Sequence, residues 1–147
     1  MKIESLIRPV ITCTIHDNLE RAAQLMWDHA VGCLPVIDDE GHVAGMITDR
    51  DVAMGAYTQG TPLRAIPVAT AMAKHVFSVL ASDDTAQIER VMSQHRIRRV
   101  PVINDQGHPI GIVSIDDLVI AALDAKLSTG EVAATYAAVA GRAPLQS

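Results

Sequence analysis

The sequence predicts an α/β (α+β) fold in which two β-α-β-β-α units pack about a pseudo-twofold axis, followed by a C-terminal Ala-rich helix. Residues 10–56 match residues 76–122 without a gap, at a constant shift of 66 positions (101 − 35). Pro35-Val36-Ile37 thereby falls on Pro101-Val102-Ile103. Only two copies are present and their period is longer than that of most solenoids, which indicates a duplicated unit rather than a repeat array.

The first half of each copy predicts a strand followed by a helix. β-branched residues are concentrated at 10–14, and the matching run at 76–80 is also apolar, which is typical of a short strand. Apolar residues then recur three and four positions apart, as in an amphipathic helix. Candidate N-cap residues precede this helix in both copies, namely Asp17 or Asn18 in the first and Asp83 or Asp84 in the second.

The second half of each copy predicts a hairpin and a second helix. An apolar strand with proline near its start leads into a turn in which glycine supplies a positive φ. A return strand and a helix follow. The predicted ranges are strands 34–37 and 100–103, turns 38–41 and 104–107, return strands 43–47 and 110–113, and helices 49–57 and 115–125.

Glycine and proline mark residues 58–75 as a linker, within which 68–72 predicts a short helix. We therefore expect three segments. They are a first repeat at 1–60, a second repeat at 61–127 that includes most of the linker, and a helical tail at 128–147.

The tail begins with a capping-box pattern formed by Ser128 and Glu131. An Ala-rich stretch follows and ends at Gly141 and Pro144. Small side chains would let such a helix lie close against another surface, including that of a partner subunit. The other interpretation is a frayed terminal helix.

Composition excludes several classes of function. The net charge of −5 and the pI near 5.6 argue against sequence-independent binding to nucleic acid, which needs a basic face. No apolar run is long enough to span a bilayer, and the first residues lack the apolar core of a signal peptide. We therefore expect a cytoplasmic protein without a membrane or nucleic-acid partner, in which Cys13 and Cys33 are buried and reduced.

Neither a metal site nor a catalytic centre is expected. No two of the six histidines have the three- or four-residue spacing of a metal-binding helix. No GxSxG, Walker or Gly-rich dinucleotide pattern occurs in the sequence. We therefore expect a protein that is not an enzyme.

The most informative motif is a glycine, two apolar residues, a hydroxyl residue, two variable residues and an aspartate. It occurs at residues 45–51 and again at 111–117. One interpretation is structural, because a hydroxyl residue followed three positions later by an acid marks a helix start. The other is a nucleotide site. A helix N-terminus attracts phosphate, and a carboxylate beside it can accept hydrogen bonds from ribose hydroxyls.

The duplicated pattern, the apolar-Pro-Val-apolar strand and the doubled motif resemble cystathionine-β-synthase (CBS) domains, over residues 6–125. A tandem pair of these domains is called a Bateman module. The resemblance implies a stand-alone regulatory module that binds an adenosine-containing ligand in clefts between the repeats. The ligand would be AMP, ADP or ATP, or alternatively S-adenosylmethionine or NAD. It also implies a homodimer.

The resemblance also implies which residues contact the nucleotide. Asp51 and Asp117 match the acid that holds the ribose hydroxyls. The remaining candidates match positions near the ribose, nucleoside, adenine or phosphates: Thr12, Leu34, Pro35, Thr48, Arg50, Ser78, Arg98, Arg99, Val100, Pro101 and Ser114. The second motif has no counterpart of Arg50, and Arg98 and Arg99 precede Val100 instead. The two sites should therefore differ.

A ligand-free dimeric scaffold that regulates an unidentified protein partner is the alternative. In that case Asp51 and Asp117 only cap helices. A nucleotide sensor should be stabilised by its ligand, whereas a scaffold should not.

Overall fold

A computed structural model describes residues 1–141 and divides the chain into two compact units. The first unit comprises residues 9–76 and 105–109, and the second comprises residues 1–8, 77–104 and 110–141. The linker therefore packs within the first unit, and the segment at residues 1–8 packs within the second. Apart from residues 105–109 of the second repeat, each unit contains one repeat and the segment that precedes the other repeat.

The first unit contains a three-stranded sheet in the order β1-β2-β3. Strand β1 is parallel to β2, and β2 is antiparallel to β3. The elements are β1 (Cys13–Thr14), α1 (Leu19–His29), β2 (Cys33–Ile37), β3 (Val43–Thr48), α2 (Asp49–Gln59) and α3 (Val68–Ala71).

The second unit repeats this order and adds a helix. Its sheet has the order β4-β5-β6, with β4 parallel to β5. The elements are β4 (Val79–Leu80), α4 (Thr85–His95), β5 (Arg99–Ile103), β6 (Pro109–Ser114), α5 (Ile115–Leu123) and α6 (Thr129–Ala140). The predicted β-α-β-β-α order and the short linker helix are confirmed.

The predicted first strands are too long. Only Cys13 and Thr14 pair with β2, and only Val79 and Leu80 pair with β5. The residues before them run outside the ladder. Thr12 and Ser78 consequently lie just before their strands rather than in them.

The predicted end of the second helix, at Ala125, is also wrong. Helix α5 ends at Leu123, and Ala125 has a φ of 58°. The amides of Ala125 and Lys126 donate to the carbonyls of Ala122 and Ala121. This is the Schellman pattern, which needs a left-handed residue and is usually built with glycine. Ala30 and Arg96 are left-handed at the ends of α1 and α4.

Each unit has its own apolar core, and each core includes residues from outside the repeat. In the first unit, Ile66 and Val68 of the linker join the residues of the repeat, which include Leu19, Leu34 and Val36. In the second unit, Ile3 and two valines of α6 join the repeat. Its core includes Ile3, Ile88, Met92, Val100, Val102, Val113, Leu118, Val132 and Val139.

Helix α6 is an integral part of the second unit. It packs against α4 and α5, and Val132, Thr135 and Val139 are buried. Ser128 caps its start and Gly141 ends it in the left-handed conformation, as the sequence predicted. It is therefore not a frayed end. Pro144, the other predicted stop, lies outside the described residues. Within residues 1–141, no helix has the length and apolar character needed to cross a membrane.

Candidate functional site

The turn between β3 and α2 is a complete capping box. The amide of Thr48 donates to Asp51 Oδ2 at 2.9 Å, and the amide of Asp51 donates to Thr48 Oγ1 at 3.2 Å. The sequence folds this way because a hydroxyl residue and an acid three positions apart satisfy each other's amides at a helix start. The turn uses one carboxylate oxygen of Asp51 and leaves Oδ1 outside the capping box.

The turn between β6 and α5 is built in the same way. The amide of Ser114 donates to Asp117 Oδ2 at 2.8 Å, and the amide of Asp117 donates to Ser114 Oγ at 3.3 Å. The Ser114 hydroxyl also donates to Oδ2, at 3.0 Å. Asp49 and Asp116 lie in the first helical turns and are exposed, as expected for acids that only favour the helix start.

A short extended segment lies beside each motif strand. Arg8 forms an antiparallel bridge with Ile112 of β6, through amide-to-carbonyl bonds of 3.2 and 3.3 Å. Ala73 forms the same bridge with Met46 of β3, through bonds of 2.9 Å in both directions. Because Met46 and Ile112 are equivalent in the two repeats, Arg8 and Ala73 occupy equivalent positions.

Glycine permits this close approach in both units. A Cβ on Gly45 would lie 2.8 Å from the carbonyl oxygen of Ala73, and a Cβ on Gly111 would overlap with Cγ2 of Ile7. The motif glycine therefore has a packing role that is separate from the helix start.

The two sites differ in what the extra segment brings to the motif aspartate. In the second unit, Arg8 Nε donates to Asp117 Oδ1 and forms an ion pair. The Asp117 side chain is 6% exposed and that of Arg8 is 62% exposed. The hydrogen bond and the charge of Asp117 raise the pKa of Arg8 above its ordinary value. Arg8 is therefore a permanent cation beside a largely buried carboxylate.

Asp51 forms no such ion pair with any of the described residues. Among residues 1–141, the ion pairs do not include Asp51, and the methyl side chain of Ala73 stands where Arg8 stands in the second unit. The side chain of Asp51 is half-buried, and its recorded hydrogen bond within the described residues is made by Oδ2.

A cavity of about 240 Å³ lies beside the Arg8–Asp117 pair. Leu6, Ile7 and Ile120 contribute apolar walls, and Lys126 adds a second cation. The volume is somewhat below the range of about 300–1,000 Å³ typical of small-molecule sites. Mixed apolar walls and a few converging charges are nevertheless the usual composition of such sites.

Four of the predicted contact residues belong to the sheet interior. Leu34 and Val100 are 0% exposed and belong to the two cores, and Pro35 and Pro101 are also buried. In this structure their side chains offer no surface to a ligand. These strands could then contact a ligand only through the backbone.

The predicted cations lie in different surroundings. Arg50 is exposed at the start of α2. Arg98 is exposed and its guanidinium lies 5.6 Å from the ring centroid of Tyr136, within range of a cation–π contact with α6. Arg99 is half-buried at the start of β5. Thr12 and Ser78 are half-buried.

Sequence reasoning missed Arg8. The repeat register of 66 positions places Arg8 opposite Lys74, a cation opposite a cation, and so gives no reason to expect a difference. The bridges instead make Ala73 the equivalent of Arg8, because Ala73 pairs with Met46 and Arg8 pairs with the corresponding Ile112.

Within residues 1–141, neither the Cys13 thiol nor a cluster of metal-binding side chains gives a second candidate site. Burial raises the pKa of the Cys13 thiol to about 12, and the nearby charge of Asp17 adds to this. That thiol is therefore protonated at neutral pH and is a poor nucleophile. In the part of the chain that the structure describes, no group of three or more His, Cys, Asp or Glu could hold a metal ion.

Comparison with known sequences gives a family. A family model of the CBS domain matches residues 3–55 and 64–124. The CBS domain-containing protein YhcV of Bacillus subtilis is 33% identical over 117 residues, which cover 80% of this chain and 81% of that protein. Hypoxic response protein 1 of Mycobacterium tuberculosis is 32% identical over 109 residues, covering 74% and 76%. Inosine-5'-monophosphate dehydrogenase of Methanocaldococcus jannaschii is 31% identical, but only 22% of its length is covered.

Comparison with solved structures agrees. The CBS domain pair of protein MJ0100, in complex with 5'-methylthioadenosine and S-adenosyl-L-methionine, matches with a TM-score of 0.73 and 25% identity, covering 82% of this chain and 98% of that one. Hypoxic Response Protein I with two coordinated zinc ions matches with a TM-score of 0.72 and 29% identity, covering 82% and 98%.

Proposed function

Because the chain belongs to the CBS domain family and carries two copies of the domain, we propose that it is a non-catalytic regulatory module that binds an adenosine-containing nucleotide. AMP, ADP and ATP are the first candidates, followed by S-adenosylmethionine and NAD. The pair of protein MJ0100 supports this choice, since it is a similar structure in complex with two adenosine-containing ligands.

The observation that carries the proposal is the recurrence of one turn geometry at Asp51 and Asp117. In each turn a carboxylate lies at the start of a helix, with Oδ2 held by the backbone amide of the cap residue. A fixed carboxylate can accept hydrogen bonds from the two hydroxyls of a ribose. The nearby amides and helix dipole favour a phosphate. At Asp51 the capping box uses Oδ2, so Oδ1 is the oxygen that we assign to the ribose.

The proposal is tested by thermal unfolding of the purified protein against AMP, ADP, ATP, S-adenosylmethionine, NAD and GTP. We expect a dose-dependent rise in Tm with an adenosine-containing ligand and none with GTP, because a ligand that binds only the native state stabilises it by RT ln(1 + [L]/Kd). The double variant Asp51→Asn, Asp117→Asn should lose the response.

The chain offers a matched control for that variant. Asp49→Asn with Asp116→Asn removes two charges from the same helix starts but leaves both capping boxes intact. This control should keep the nucleotide response. Equal loss in both double variants would indicate a general electrostatic effect, and no response to any adenosine ligand in the unmodified protein would contradict the proposal.

We further propose that the protein is cytoplasmic and forms a homodimer. Large apolar side chains on its helices support dimerisation: Trp27 of α1, Tyr57 of α2 and Leu123 of α5 are more than 80% exposed. Sedimentation of the protein should give twice the monomer mass, and Trp27→Glu or Leu123→Glu should shift it toward the monomer.

The scaffold function remains the second candidate, because the same exposed side chains could bind a protein partner. It predicts a dimer or a heteromeric complex with no nucleotide response. The thermal screen and the sedimentation experiment together separate the two functions.

A further inference from the structure

We propose that Arg8 is an internal competitor for the second nucleotide site, so that the site at Asp51 fills first and the site at Asp117 fills only when Arg8 leaves its carboxylate. This inference rests on the proposed function, because it assumes that Asp117 receives a ribose. It adds an order of filling and names the residue that sets it.

The position of Arg8 is fixed by its neighbours rather than by the ion pair alone. Its backbone amide donates to the carbonyl of Ile112, and its carbonyl accepts from the amide of Ile112. Earlier in the same segment, Ile3 is fully buried in the core of the second unit, and its amide donates to the carbonyl of Asp83 at 3.1 Å. The backbone of Arg8 is therefore held beside β6, and its guanidinium reaches Asp117 from there.

Arg8 uses the oxygen that a ribose would need. Oδ2 of Asp117 already accepts hydrogen bonds from the amide and hydroxyl of Ser114, and Oδ1 accepts from Arg8. A ribose hydroxyl donating to Oδ1 must therefore share or replace the Arg8 bond. Charge-assisted bonds are stronger than those from neutral hydroxyls, so the competition favours Arg8.

The first unit provides the natural reference. At the equivalent bridge Ala73 has no side chain that could reach Asp51, and the two capping boxes otherwise match. If Arg8 is away from Asp117 for about a tenth of the time, the second site binds about tenfold more weakly than it would without Arg8. The Arg8 side chain is mostly exposed, so it can move into solvent without a burial penalty.

The experiment is a calorimetric titration of the full chain with adenosine and with ATP. It uses the unmodified protein, Arg8→Ala, Ala73→Arg and the control Arg90→Ala, which removes an exposed arginine that donates to Gln87 on the same helix. Asp51→Asn and Asp117→Asn assign each binding step to its site. Both ligands are needed because only ATP has phosphates that could recruit Arg8.

We expect Arg8→Ala to lower the Kd of the Asp117 site about tenfold for both ligands. If the unmodified protein shows no binding at that site, Arg8→Ala should make binding there measurable. Ala73→Arg should weaken the Asp51 step by a similar factor, and Arg90→Ala should change neither.

If Arg8→Ala weakens ATP binding and leaves adenosine unchanged, Arg8 is a phosphate contact and the inference is wrong. If Asp51 binds nucleotide and Arg8→Ala has no effect at Asp117, the inference alone fails. Absence of binding in every variant overturns the proposed function and the inference with it.

A measurement without nucleotide checks the contact itself. In a double-mutant cycle of Arg8→Ala and Asp117→Asn, the free energies of unfolding should be non-additive, because the two side chains form an ion pair. Additivity would mean that Arg8 does not hold Asp117 in solution and would contradict the inference.

Discussion

The starts of α2 and α5 are built from the same motif, yet their aspartates have different neighbours. Asp51 and Asp117 both accept the amide of the cap residue through Oδ2. Arg8 binds the other oxygen of Asp117, whereas Ala73 occupies the equivalent bridge position in the first unit. The local turn is therefore the same in both repeats. The difference between the two sites comes from the segment outside the repeat that lies beside each motif strand.

The largest effects should come from the cores, where the repeats place their large side chains differently. Leu19 and Ala22 of α1 correspond to Thr85 and Ile88 of α4, and all four are buried. We expect Leu19→Ala and Ile88→Ala each to lower the free energy of unfolding by about 2–5 kcal/mol, from lost burial and the cavity left behind. Urea denaturation measures this, with the exposed Glu20→Ala as control.

The double variant Leu19→Thr, Ala22→Ile sharpens this prediction, because it gives α1 the residues of α4. It should be more stable than Leu19→Ala if the two cores have interchangeable shapes. A double variant less stable than Leu19→Ala would show that each core is specific to its own unit.

Effects of intermediate size should come from the motif glycines. We expect Gly111→Ala and Gly45→Ala each to cost about 1–3 kcal/mol, because the added methyl group overpacks the bridge to the neighbouring segment. Ile7→Ala should relieve most of the cost of Gly111→Ala, since the main overlap is with the side chain of Ile7.

At Gly45 the new methyl group would lie 2.5 Å from Sδ of Met72, yet Met72→Ala should not relieve Gly45→Ala to the same extent. The carbonyl oxygen of Ala73 would still lie 2.8 Å from the new methyl group, and a backbone atom cannot rotate away. Thermal unfolding checks this difference by comparing each glycine variant with its double variant, Gly111→Ala with Ile7→Ala and Gly45→Ala with Met72→Ala. An equal recovery of stability in both units would contradict the prediction.

The smallest effect should be a pH dependence of one helix cap. Asp84 caps α4 and Asn18, its repeat equivalent, caps α1. The hydrogen bond from the Ala86 amide lowers the pKa of Asp84 below its ordinary value of 3.8. A lowered pKa in the folded state stabilises the protein above the unfolded pKa. This contribution is lost as the pH falls through the folded pKa.

The α4 cap should therefore weaken below about pH 3.8, whereas the α1 cap should not titrate. An NMR titration of the Ala86 amide should show a midpoint below that value, and Asp84→Asn should abolish it. Asn18→Asp should introduce a similar titration at the Arg21 amide, to which Asn18 is bonded. A midpoint above 3.8 for Ala86 would show that the amide does not stabilise the carboxylate.

The helix ends show where local sequence was insufficient. The sequence predicted the starts of α2, α5 and α6 because serine, threonine and acids satisfy free amides through local contacts. Three helices instead end in left-handed residues that are not glycine, Ala30, Arg96 and Ala125. Such residues carry no signal in the sequence, since any L-residue with a side chain disfavours that conformation. At each of these ends the amide of the following residue donates to the carbonyl five positions earlier, which is the hydrogen bond of a Schellman motif.

The sequence by itself determined the duplication, the order of the elements and both capping boxes, because these depend on spacing and on residues within a few positions of one another. Only the tertiary structure decided which segments complete each unit and that Arg8 contacts Asp117. By the repeat spacing of 66 residues the equivalent of Arg8 is Lys74, whereas by the strand bridges its equivalent is Ala73. A shift of one residue along an extended strand turns the opposite side chain toward the site. That shift depends on contacts between residues far apart in the chain, such as Arg8 with Ile112 and Ala73 with Met46.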